Sequence, residues 1–231
     1  NCIRISIFDG EIKAEDFRNN KRISDLKNSY LGFIVLRPTE PSIVGRSLIS
    51  PKALRDNSFL TCATPVPTTV HSIKFEIAGF PHSSQDGETI SCAETTIWAL
   101  MEYFSHKYPQ YKSVLPSNII SALYSVSAER QIPSRGLNIE QMSYALKEFG
   151  FGTRIYSREE YGNNFENILS CYIESGIPLI VAVETPKTIT PRIGHAMLCT
   201  GYEPRQDYMI DSLIETFIHS QKLKNAITSK N

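Results

Sequence analysis

Cys92 stands where a thiolate would be favoured. The tetrapeptide Ser91-Cys92-Ala93-Glu94 has the S-x-x-E spacing of a capping box, directly before an apolar-periodic run. Ser91 is then the N-cap, Glu94 folds back onto its amide, and Cys92 falls at the first helical position. A thiol there faces unsatisfied backbone N–H groups and the positive end of the helix dipole, both of which favour its ionised, nucleophilic form. The small neighbour Ala93 leaves room for a substrate carbonyl. The competing reading is ordinary: most cysteines are small buried hydrophobes, and capping boxes open many helices that do no chemistry.

A nucleophile needs a base and a group to orient it. Among the five histidines, His195 has the most telling surroundings, RIGHAMLCTGY, with a glycine before it and an apolar strand after it. A strand holds an imidazole more firmly than a loop does, which suits a general base. Asp211 follows at the end of the apolar run DYMID. If the two strands are neighbours, Asp211 accepts a hydrogen bond from His195 and sets its tautomer. Gln85 precedes Cys92 in a polar loop, where its side-chain amide could join the Cys92 N–H as an oxyanion donor. Taken singly, each also has a structural reading: a satisfied strand histidine, a strand-end turn residue, a loop glutamine.

The elements that must position these groups follow from hydrophobic period. Residues 3–8, 30–38 and 71–80 are rich in β-branched and aromatic residues and predict strands, with a helix around 13–27. Residues 81–87 predict a loop. From Ser91 the period becomes helical, with Ala93, Ile97, Leu100, Met101 and Phe104 on one face and Trp98 off it. Further helices are predicted over 116–127, 138–152 and 163–176, the last two stopped by Gly150 and Gly176. Residues 177–185, 194–203 and 207–213 predict three neighbouring antiparallel strands. Helices followed by a sheet indicate α+β architecture. The order suggests a β-rich N-terminal extension or subdomain over 1–80 and a second domain over 81–231. The first 80 residues carry no nameable motif; a prosegment, a recognition lobe and an integral extension of the sheet all stay open.

Composition narrows the function classes. The 24 basic and 24 acidic residues cancel, which argues against a nucleic-acid partner or a membrane surface; the basic run at 18–27 is read as a solvated face. No apolar run reaches a membrane-spanning length, and no signal peptide is visible. The five cysteines have irregular spacing and no CxxC pair, so neither a zinc site nor a disulfide framework is expected, and a reduced, cytoplasmic setting is the default. Cys171 and Cys199 are expected to be core thiols. The chain opens on Asn1, so it is either processed or cut from a longer protein with further domains.

Gln85, Cys92 at the head of a long helix, a distant GHA at a strand and then Asp211 together resemble the papain-like cysteine peptidase superfamily. Residues 173–202, with ESGIPLIVAV and GHAM…GY, are similar in form to the bacterial bacteriocin-leader (double-glycine) peptidases, as is GLNIEQMSYALKEFG before them. The resemblance covers roughly residues 82–213. It implies a two-lobed fold, with a helical lobe carrying the nucleophile, an antiparallel sheet carrying base and orienter, and a cleft between them. Carried over, Cys92 is the nucleophile, His195 the base, Asp211 the orienter and Gln85 the oxyanion donor. Gln85 is one residue further from the cysteine than is usual, and the proline frequent after the orienter in leader peptidases is missing. The expected activity is cleavage of peptide or isopeptide bonds in a protein or peptide substrate through a Cys92 thioester, with no cofactor and no metal. Deamidation or transglutaminase-type transfer on the same groups, and a catalytically idle binding module, are the rivals.

Overall fold

β-Branched and aromatic residues pack well on a pleated, half-buried surface, and two such runs form strands β1 (Ile3–Phe8) and β2 (Tyr30–Leu36). The structure is a computed structural model that describes residues 2–38, 43–54, 59–85, 92–124, 137–184 and 194–203. In it β1 and β2 pair antiparallel, from Ile3↔Leu36 to Phe8↔Tyr30, and the short β3 (Leu48–Ile49) lies on the other edge of β2. The helix expected around 13–27 is broken into 3-10 turns at Ala14–Arg18 and Asn20–Arg22, followed by the short α1 (Ile23–Ser29).

After β4 (Leu60–Thr61), a hairpin follows: β5 (Thr64–Val70) pairs with β6 (Ile73–Gly79) in unbroken register from Thr64↔Gly79 to Val70↔Ile73. Its two-residue turn places His71 at φ 45° and Ser72 at φ 65°, the positive-φ pair that matches the twist of a hairpin. Strand β5 escaped the sequence reading because it contains Pro65 and Pro67. The two prolines share one parity of the strand, opposite Ala78 and Glu76, so both missing N–H groups fall at positions that do not bond β6. They also blunt the outer edge of the hairpin. Leu26, Tyr30, Phe33, Leu48, Val66, Phe75 and Ile77 close a core between sheet and hairpin.

The remaining elements surround α2 (Cys92–Lys107), which is buried on nearly all sides from Ala93 to Phe104. The sequence predicted one apolar stripe, with Trp98 off it but packing between lobes; Trp98 is 8% exposed, and Tyr103, outside that stripe, is fully buried. The reason is tertiary. Helices α3 (Pro116–Leu123) and α4 (Ile139–Glu148), strand β5, and strand β8 (Gly194–Cys199) enclose α2 from different directions. A helix enclosed in this way must be apolar beyond a single face.

Helix α4 opens on a reciprocal cap, in which Asn138 Oδ1 accepts from the Gln141 N–H and Gln141 Oε1 accepts from the Asn138 N–H. After the short α5 (Arg158–Tyr161) comes α6 (Phe165–Glu174). Both α4 and α6 end as expected, at Gly150 (φ 93°) and Gly176 (φ 73°). The Phe151 N–H reaches Leu146 O, and the Ile177 N–H reaches Tyr172 O, the long bond of a Schellman stop.

Strand β7 (Leu179–Glu184) pairs antiparallel with β8, from Leu179↔Cys199 to Glu184↔Gly194, so the first two of the three predicted C-terminal strands are neighbours. The third, residues 207–213, lies outside the described residues. Beyond Thr200 the chain continues as β9 (Gly201–Tyr202), which pairs with β4 through Leu60↔Tyr202 and Thr61↔Gly201. The architecture is mixed α+β, with several small antiparallel sheets. Contacts cross residue 80 at several places, among them the β4–β9 ladder, the packing of β5 on α2, the Arg46–Glu102 ion pair at 3.0 Å, and Phe80 stacked on Tyr103.

Candidate functional site

Cys92 is the first described residue of α2, and its thiol is partly buried. The capping residue proposed for that helix, Ser91, lies outside the described residues. Glu94, its expected partner, sits in the first turn and is only 2% exposed. A carboxylate in that turn suits the positive end of the helix.

The sulfur of Cys92 meets strand β8. The N–H of Ala196 donates to Cys92 Sγ over 3.4 Å, and the Thr96 hydroxyl lies 3.3 Å from the Ala196 carbonyl oxygen and 2.6 Å from that of Cys92. Cys92 is thus held beside the strand that carries His195. Strand alternation sorts the side chains of β8 into two sets. Ala196 and Leu198 pack into the core that contains α2, whereas His195 shares the other face with Met197 and is exposed. The group bonded to the sulfur is therefore the amide of the residue after His195. On β7, the residue opposite His195 is Val183.

Gln85 is exposed and ends a segment tied to the N-terminal half. Ser47 and His82 exchange backbone bonds of 2.7 and 2.9 Å. The Ser84 hydroxyl donates to Val44 O at 2.7 Å, and Arg37 Nη2 donates to Ser84 O at 3.1 Å. Residues 86–91, which join Gln85 to Cys92, lie outside the described residues, as does Asp211. The structure therefore brings the Cys92 sulfur to the backbone of the strand that carries His195, with the His195 side chain on the opposite face of that strand, and it describes no contact between Gln85 and Cys92.

Sequence reasoning missed Thr96, Ala196 and Arg37. Thr96 had a readable signal, since it stands four residues after Cys92 and shares its helix face. Ala196 acts through its backbone, which no side-chain pattern reveals, and Arg37, just past β2, ties down the segment before Gln85.

The remaining thiols divide by burial. Cys171, expected in the core, is exposed on α6. The correction follows from helical geometry: at 100° per residue it falls well away from the face formed by Phe165, Leu169, Tyr172 and Ile173. Cys62 is buried, and burial pushes its thiol above the ordinary range. Burial also raises the Tyr103 phenol. Apart from the Cys92 region, Met142, Leu146, Phe151, Tyr172 and Ile180 line an apolar cavity of about 270 Å³ between α4, α6 and β7.

Among the described residues no three His, Cys, Asp or Glu side chains are grouped to hold a metal ion, and no helix is long and apolar enough to cross a membrane. Fold and site together define a mixed α+β protein in which a helix-head cysteine is bonded to a histidine-bearing strand. No protein-family model matches the chain, and neither a curated protein nor a solved structure does.

Proposed function

We propose that this chain is a cysteine-dependent hydrolase of the papain-like kind, cleaving peptide or isopeptide bonds through an acyl-thioester on Cys92. The observation that supports it most is the contact between Cys92 Sγ and the Ala196 N–H, because it sets a helix-head thiol beside the strand of His195. In this reading α2, α3 and α4 form the helical lobe, and β7 and β8 belong to the sheet lobe.

The chemistry runs in two halves. The Cys92 thiolate attacks the substrate carbonyl carbon and forms a C–S bond, and the oxyanion is stabilised by the Cys92 N–H and the Gln85 amide. His195, protonated and oriented by Asp211, gives its proton to the departing amine as the C–N bond breaks. Water then attacks the thioester, with His195 taking its proton, and the acid leaves. Deamidation uses the same groups on a side-chain amide, and product mass separates the two: hydrolysis splits the substrate, whereas deamidation adds about one dalton without splitting it.

The test is alkylation of the native protein across pH, with the modified cysteine located by peptide mass mapping and His195→Ala as control. Fast labelling of Cys92 near pH 6 that disappears without His195 supports the enzyme. Labelling no faster than that of a free thiol, or only after unfolding, overturns it in favour of a binding module.

A further inference from the structure

The Cys92 sulfur is held by more than its own helix. Ala196 stands opposite Ala182 in the β7–β8 ladder. In such a ladder, opposed residues alternate between pairs that exchange both backbone bonds and pairs that exchange none. Ala196 behaves as the second kind, turning its backbone away from β7. Its N–H donates to Cys92 Sγ and its carbonyl faces the Thr96 hydroxyl, at 3.4 and 3.3 Å. Over its described length β8 has a strand on one side only. The first turn of α2 lies along its other edge, where a further strand would pair.

Thr96 is the link that makes this edge contact specific. Its single proton lies between two carbonyls, one at the head of the helix and one on the strand. Thr96 is 6% exposed and Ala196 7%, so water does not compete for either group. We propose that Thr96 is a positioning residue for Cys92: its hydroxyl clamps the head of α2 to β8, which keeps the Ala196 N–H on the sulfur and His195 one residue away along the strand. The inference rests on the reading of Cys92 as a nucleophile. An N–H donated to the sulfur fixes where the nucleophile points, so the clamp acts on reactivity as well as on packing.

The experiment compares wild type, His195→Ala, Thr96→Ser and Thr96→Val. Iodoacetamide labelling of Cys92 is followed from pH 5 to 9, with thermal melting alongside. Thr96→Ser, which keeps the hydroxyl, is expected to hold the wild-type profile within about twofold. Thr96→Val is expected to lose about tenfold of the labelling rate, which Thr96→Ser retains. Should Thr96→Val melt too early to be read, Thr96→Ala removes the same hydroxyl from a smaller side chain. A folded Thr96→Val with the wild-type profile overturns the clamp while leaving the nucleophile in place. A wild-type Cys92 with no low-pH reactivity overturns both.

Discussion

The amide of Ala196 donates to the sulfur of Cys92 over 3.4 Å, joining residues 104 positions apart in the chain. That bond brings a helix and a strand that are far apart in the sequence into direct contact.

A first prediction concerns His195, which is exposed on β8. His195→Ala should change stability by less than about 0.5 kcal/mol, the usual range for a surface substitution. It should nevertheless lower low-pH labelling of Cys92 by tenfold or more. Urea denaturation and labelling on the same preparation check both halves, and a large loss of stability would mean that His195 is structural.

Glu102 is buried to 7% exposure in α2 and pairs with the half-exposed Arg46. Removing the arginine leaves a carboxylate in a poorly solvated place, whereas removing the carboxylate frees an arginine that can turn to water. Arg46→Ala is therefore expected to cost about 1–2 kcal/mol and Glu102→Gln less. Equal costs in urea denaturation would contradict this asymmetry.

Gly150 and Gly176 both stop helices at positive φ, but their surroundings differ. A Cβ on Gly150 meets nothing within 4 Å, whereas one on Gly176 meets Lys107 Nζ, which also bonds the Gly176 carbonyl at 3.1 Å and the Tyr103 hydroxyl at 2.6 Å. Gly150→Ala should cost about 1–2 kcal/mol for the left-handed backbone alone. Gly176→Ala should cost more, and the excess should vanish in a Lys107→Met background. A double-mutant cycle measures that excess directly.

Alkaline pH supplies a fourth test. Burial raises both the Cys62 thiol and the Tyr103 phenol in the folded chain. A group whose folded value lies above its unfolded value contributes stability that is complete below the unfolded value and is lost as pH rises through the folded one. Stability from these two should hold to about pH 8.5, the ordinary thiol range, and then decline. Thermal melting between pH 7 and 10.5 reads the decline, which should be shallower in Cys62→Ala. Native Cys62 should also resist alkylation at pH 8 while the exposed Cys2 and Cys171 react.

Much of the secondary structure was legible because it is written locally. The strands at 3–8, 30–36 and 73–79 and the helices α2, α4 and α6 show their period within a dozen residues. Gly150 and Gly176 are read as stops because few other residues tolerate a left-handed backbone. The failures have physical causes as well. Prolines hid β5, since a proline is compatible with a strand only if its missing N–H points away from the partner, and that depends on register. Trp98, read as off the single stripe and packed between elements, is buried because the helix is enclosed from several directions.

By itself, the sequence determined that Cys92 belongs to a helix and His195 to a strand, because hydrophobic period acts over a few neighbouring residues. Only the tertiary structure decided that these two elements meet, that residues 60–61 pair with 201–202, and that Ala196 presents its amide to the sulfur. Those relationships rest on strand register and on backbone groups that every residue carries alike. Register is settled when the whole core closes, and the backbone amide has no letter in the sequence.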